Sequence, residues 1–142
     1  MPRVRYTTTL GFINNNPTNI RHSALNKWQG QTGQRKGFCV FSTKTWAFRA
    51  TAKILFKYIE RGNDNIEKII NAWAPQTENN TEAYIAYVCK KTHIERKKTI
   101  CKYDRTAICS IISAMCYVEC AGYTPARNIV ELGYDLAVTG TC

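Results

Sequence analysis

From residue 42 onward the apolar positions recur at helical spacing in five runs, each opened by a residue that can cap a helix. Ser42 or Thr43 caps the first, whose stripe of Trp46, Ala50, Ile54, Leu55 and Tyr58 continues to Arg61 and is stopped by Gly62. Asn63 or Asp64 opens the second, carrying Ile66, Ile69, Ile70 and Trp73. It closes before Pro75, because a proline disfavours helical backbone in the residue ahead of it. Asn80 or Thr81 begins the third, with Tyr84, Ile85 and Val88 on one side, and Asp104 begins the most apolar, Arg105 to Cys120, ended by Gly122. Thr124 caps the last, with Pro125 at its first position, where a missing N–H leaves nothing unsatisfied. Ahead of residue 42 the pattern changes. Residues 11–41 are rich in Gly, Asn and Gln, and two short runs, Thr18 to His22 and Phe38 to Phe41, read as strands around the turn-prone stretch Gly30 to Gly37. The expectation is an α+β protein, mostly α, of about five helices with a small N-terminal β-hairpin region. A chain of 142 residues fits one domain, 1–142, with one core.

Charge adds a partner class. Lys and Arg number 20 against 10 Asp and Glu, and a net charge of +10 attracts polyanions through the summed surface field. Nucleic acid, an anionic membrane surface and the acidic polymers of a bacterial wall all satisfy it. The densest basic run, Arg96-Lys97-Lys98 with Lys90, Lys91 and Lys102, falls between helices and reads as a solvated connector. With no nucleic-acid-reading motif, the charge predicts only weak, sequence-independent binding to nucleic acid at low salt. No stretch is apolar enough for a membrane span, and the start, Met1 to Tyr6, runs into polar threonines instead of the apolar segment of a signal peptide. The expected place of synthesis is a cytoplasm, so that reaching a cell wall would need lysis, a holin or carriage in a virion. Seven cysteines, an odd number, lack any Cys-x-x-Cys pair. Cys109, Cys116 and Cys120 share the apolar helix and read as small core residues, and neither a metal nor a cofactor is expected.

One carboxylate stands out. On a helical wheel of about 100° per residue, Ile108, Cys109, Ile111, Ile112, Met115, Cys116 and Cys120 form one apolar face, and Glu119 falls near its middle. Desolvation and the negative end of the helix dipole both disfavour its ionised form, so its pKa should be raised. A carboxylic acid that stays protonated is what glycoside cleavage uses to protonate the departing sugar oxygen. The alternative is a buried structural carboxylate paired with an arginine such as Arg21 or Arg49.

Three stretches carry a resemblance. Asn14-Asn15-Asn16-Pro17-Thr18-Asn19-Ile20-Arg21, then Trp28-Gln29-Gly30-Gln31, then Gly37-Phe38-Cys39-Val40-Phe41 resemble short phage and prophage virion-associated proteins that open with Asn-Asn-Pro-Gly-Asn-Ile-Arg. The likeness continues through Trp73-Ala74-Pro75, Glu78 to Thr81, Ala83 to Ile85 and Ala114-Met115 with Glu119. Thr18 departs from the usual glycine. Those proteins are distantly similar to lytic transglycosylases and β-N-acetylglucosaminidases of the lysozyme-like superfamily, whose Glu-Thr-x-x-Tyr helix motif is similar to Thr81-Glu82-Ala83-Tyr84-Ile85 here.

In those enzymes the helix bearing the catalytic Glu comes first. Here Ser113 to Gly122 is similar to the end of that helix, so the order implies a circular permutation, with the termini close together and Glu119 beside residues 16–21. The resemblance implies a lysozyme-like fold and Glu119 as the catalytic acid. Sugars would stack on Trp28 or Tyr84 and hydrogen-bond to Asn16, Asn19 and Gln29, with Arg21 and Thr81 also in the substrate site. Glu78, Glu82, Glu131 and Asp135 remain open as a second carboxylate. The implied activity is cleavage of peptidoglycan glycan strands by a muramidase, glucosaminidase or lytic transglycosylase, at the bacterial cell wall, from a phage virion or host cytoplasm. A non-enzymatic virion component bound to other virion proteins and a basic nucleic-acid-binding module are the rival readings.

Overall fold

The computed structural model describes residues 5–76 and 80–139. A single turn of 3-10 helix, Tyr6–Thr8, leads into α1 (Leu10–Ile13), followed by β1 (Gln31–Arg35), β2 (Phe38–Phe41), α2 (Lys44–Glu60), α3 (Ile66–Trp73), α4 (Thr81–Thr92), α5 (Arg105–Glu119) and α6 (Arg127–Thr139). The architecture is α+β and mostly α, as the apolar spacing implied. Of the six α-helices among the described residues, the one the pattern missed is α1, four residues long and capped by Thr9, whose side chain accepts from the Phe12 N–H. A helix so short leaves no periodicity to read.

Asn65, Asn80 and Asp104 each accept a backbone N–H from three residues on and so set the starts of α3, α4 and α5. Asn65, one position past the expected Asp64, is the cap of α3. The last helix begins at Arg127 instead of Pro125.

The hairpin corrects one expected strand. Thr18 to His22 is not a strand of the sheet; the partner of β2 is the polar segment β1, joined to it by Lys36 and Gly37. Both turn residues have positive φ, +52° and +85°, the backbone that matches the twist of a two-residue hairpin. Thr18 to His22 instead runs along the far edge of β2, where the Cys39 N–H donates to the Ile20 carbonyl and the His22 N–H to the Gly37 carbonyl.

The main core joins α2, α3, α4, α5 and α6 through Phe48, Leu55, Ile69, Ile85, Ile111, Met115 and Val130, all buried. Its tightest seam lies between α2 and α6. A Cβ on Gly133 would sit 2.5 Å from the Phe48 Cβ, so only glycine admits this approach. The expected stripe of α2 is half right. Ala50 and Leu55 are buried, but burial extends around the helix to Ala47, Phe48, Arg49, Thr51 and Ala52, because the hairpin cluster covers its other side. Trp46, Ile54 and Tyr58 are left only partly covered. Cys109, Cys116 and Cys120 lie in the core as free thiols.

Candidate functional site

Asn14 to Ile20 is a folded-in loop held by its own amides. The Asn16 side chain accepts from the Ile20 N–H at 3.0 Å and donates to the Ile20 and Cys39 carbonyls, both at 3.0 Å. Asn15 donates to the Phe41 and Ser42 carbonyls. The left-handed backbone that such a loop needs falls on Asn15 and Asn19, not on Thr18, so a threonine is accommodated there. Thr18 is buried and donates to the Thr51 hydroxyl at 2.8 Å, since that hydroxyl already donates to the Ala47 carbonyl.

This loop delivers Asn19 to the last residue of α5. The Asn19 amide donates to the Glu119 main-chain oxygen at 2.9 Å and lies 3.4 Å from its Oε1. The other carboxylate oxygen, Oε2, accepts from the Trp73 indole at 3.2 Å and from the Tyr84 hydroxyl at 3.1 Å. Four separate segments therefore meet at one partly buried carboxylate: the N-terminal loop, the end of α3, α4 and the end of α5. Burial raises the Glu119 pKa above the usual carboxylate value, against smaller opposing effects of the Asn19, Tyr84 and Trp73 hydrogen bonds and the Arg21 charge. Burial and the neighbouring carboxylate also push the Tyr84 hydroxyl well above its ordinary pKa, so it remains a donor. Since Oε2 is occupied by two donors and Oε1 meets one at long range, a proton on Glu119 is carried by Oε1.

Glu119 stands between two clefts. One, of about 470 Å³, is lined by Asn19, Arg21, Trp28, Phe38, Tyr58 and Trp73 among others; the second, of about 490 Å³, is lined by Asn80, Ala83, Tyr84, Tyr87, Tyr117 and Val118, and Glu119 belongs to both. Among the described residues it is the only carboxylate that lines either cleft. In the second cleft Tyr87 and Tyr117 stack with ring centres 4.9 Å apart and planes 12° from parallel.

The structure gathers Asn19, Arg21, Trp28 and Tyr84 around Glu119 and does not bring three other candidates to it. Asn16 is fully buried with its amide committed to backbone, so it has nothing left for a ligand. Thr81 is buried with its hydroxyl donated to the Ala74 carbonyl, fixing the approach of α4 to α3. Gln29 is exposed and lines a different cleft. Tyr84 is 5% exposed, too covered to stack on a sugar, and serves through its hydroxyl. Among the possible second carboxylates, Glu82 is held by Arg96, while Glu131 and Asp135 are held by Arg105; Glu78 and the chain ends lie outside the described residues. Arg96, from the basic run, also grips Glu67. No three His, Cys, Asp or Glu side chains among the described residues group as metal ligands, and none of their helices is long and apolar enough to cross a membrane.

The residue that sequence reasoning missed is Trp73, taken as part of an apolar stripe. Its signal was available: a tryptophan at a helix end needs a partner for its N–H when its ring is covered. The Tyr87 and Tyr117 pair gave no such signal, as the two lie on different helices.

A mostly α, α+β protein with a hydrogen-bonded acid between two clefts is the class these features define. No family model matches the chain. It is similar to Protein P5 of Pseudoalteromonas phage PM2, with 33% identity over 135 residues that span 92% of this chain and 82% of that protein. The chain belongs to the family of that phage protein.

Proposed function

We propose that the protein cleaves the glycan strands of peptidoglycan at the bacterial cell wall, with Glu119 as the general acid. The observation that carries this reading is the housing of Glu119: a desolvated carboxyl group with a raised pKa, between two clefts, with Oε1 held only by the long Asn19 contact and so able to hand a proton to a ligand. The glycosidic oxygen takes the Oε1 proton as its bond to the anomeric carbon breaks, leaving an oxocarbenium-like centre and a carboxylate that three neutral donors already stabilise.

A hydrolase needs a second carboxylate within about 5 to 10 Å to act on water or on the sugar directly. Among the described residues Glu82, Glu131 and Asp135 are committed to arginines elsewhere, so either Glu78 supplies that carboxylate or a hydroxyl of the substrate itself captures the cation, passing its proton to the Glu119 carboxylate and giving anhydro products. Asn19 and Arg21 flank the acid as polar sugar contacts, and Trp28 offers the ring face. Membership in a phage protein family supports a setting in which wall cleavage is useful. The test is incubation of the purified protein with peptidoglycan and mass spectrometry of the released muropeptides. Anhydro ends support transglycosylation and reducing ends hydrolysis; no products from a folded, wall-binding protein would favour a non-enzymatic virion component.

A further inference from the structure

Arg49, in the middle of α2, is a cation out of place. Its side chain is 1% exposed, and its Nη2 is buried without any hydrogen-bond partner. A buried guanidinium without an anion is costly, and an orphaned buried donor calls for a group not yet present. Arg49 also contributes to a third cleft, of about 400 Å³, whose rim carries Lys27, Lys53 and Lys57 and whose walls include Trp28 and Phe56. Among the described residues the acidic one at that rim is Glu60, which is engaged by Lys102. Trp28 and Asn26 line this cleft and also the cleft beside Glu119, so the two share a wall.

We propose that this cleft is an oxyanion-binding subsite, with Arg49 at its floor, for a carboxylate carried by the strand that lies against Glu119. The unpartnered Nη2 of the guanidinium can donate a charge-assisted hydrogen bond to a carboxylate oxygen, and Lys27 and Lys57 at the rim add attraction. The shared Trp28 wall selects a carrier that bears charge beside its sugar chain, as the peptide-substituted strands of peptidoglycan do. A nucleic-acid backbone would instead want an extended basic track, and here the basic groups close around one concavity with apolar walls. The proposal rests on the glycan reading only for the identity of the carrier.

The experiment has two arms. In the first, citrate, and separately inorganic phosphate, is titrated into the protein while the Arg49 Nε–H resonance and the melting temperature are followed. The expected result is a saturable shift of that resonance with a rise in melting temperature, both reduced at least tenfold in apparent affinity by K27A/K57A, two rim changes that leave the core alone. No shift at Arg49 with either anion would overturn the subsite. In the second, retention on insoluble peptidoglycan is compared before and after the wall carboxylates are amidated, using Glu119→Gln protein so that nothing is cleaved. About tenfold weaker retention on the amidated wall, absent in K27A/K57A, is expected; equal retention, or displacement from Arg49 by duplex DNA at lower concentration than by wall fragments, would overturn the carboxylate assignment. Anion binding by a protein that releases no muropeptides would retire the glycosidase reading alone, and cleavage without anion binding would retire the subsite alone.

Discussion

Replacing Glu119 by glutamine keeps the size of the side chain and removes its proton and its charge. At the site, Oε2 accepts from Trp73 and Tyr84, and an amide oxygen can take both bonds. The amide nitrogen then faces the Asn19 amide, which is pinned by its bond to the Glu119 main-chain oxygen. Hydrogen bonds to a charged acceptor are worth about 1 kcal/mol more each than neutral ones, so the variant gives up about 2 kcal/mol of charge assistance. It is relieved of holding a desolvated charge, and the net change near neutral pH should stay within about 2 kcal/mol. Between the ordinary carboxylate pKa and the raised value, the folded protein keeps a proton on Glu119 that the unfolded chain has released. That contribution to stability is fully present below the ordinary pKa and is lost as pH climbs through the raised one. Glutamine does not titrate, so the melting temperature of the variant relative to the parent should increase with pH across that window and then level. Scanning calorimetry from acid to neutral pH measures this, and muropeptide release on the same samples should fall by about two to four orders of magnitude. A relative melting temperature that falls as pH rises would mark Glu119 as a carboxylate stabilised in its charged form. Undiminished cleavage by the folded variant would show that another group is the acid.

Removing the hydroxyl in Tyr84→Phe takes away a bond that lowers the Glu119 pKa, so the loss of activity on the alkaline side should move to higher pH in a pH–rate profile, with about 1 kcal/mol lost in stability. Asn16→Ala leaves two buried backbone groups unpaired, the Ile20 N–H and the Cys39 carbonyl, and should cost about 3 kcal/mol by chemical denaturation; a loss of less than about 1 kcal/mol would return Asn16 to the list of ligand contacts. Gly133→Ala must push α6 away from Phe48 and should destabilise by about 1 to 3 kcal/mol in the same assay, with no change in the pH profile of activity.

The legible parts of this fold were those with a long period and a cap. α4 and α5 start where a side chain on the expected residue accepts the expected N–H, and the placement of Glu119 on the apolar face of α5 was visible from the wheel. β1 was not visible. Gln31 to Arg35 is polar and mostly exposed, and it becomes a strand because the Lys36-Gly37 turn folds it onto β2, not because of any alternation of its own. Asn16 was read as a ligand contact because amides suit sugars, but an amide also suits a loop that must satisfy its own backbone in the interior, and here the second use wins. Arg49 was considered only as a partner for Glu119. Its place in another cleft follows from the way residues 25–29 lie along α2, which no local pattern records.

The contact between Asn19 and Glu119 joins residues a hundred positions apart, while Trp73 and Tyr84 reach the same carboxylate from within the helical part of the chain. Loop-closure entropy makes so distant a contact late in folding compared with the helix pairs around it. The segment synthesised first would thus be among the last to settle, and the acid would acquire its complete set of donors only when the rest of the molecule is already built. After a nick in the exposed stretch around Leu25, Asn19 would be kept at Glu119 only by the contacts of its loop to β2 and Thr51, and mild heating that released them would leave the helices packed and let Asn19 drift. The molecule would look intact by its helix content while its acid had changed in strength.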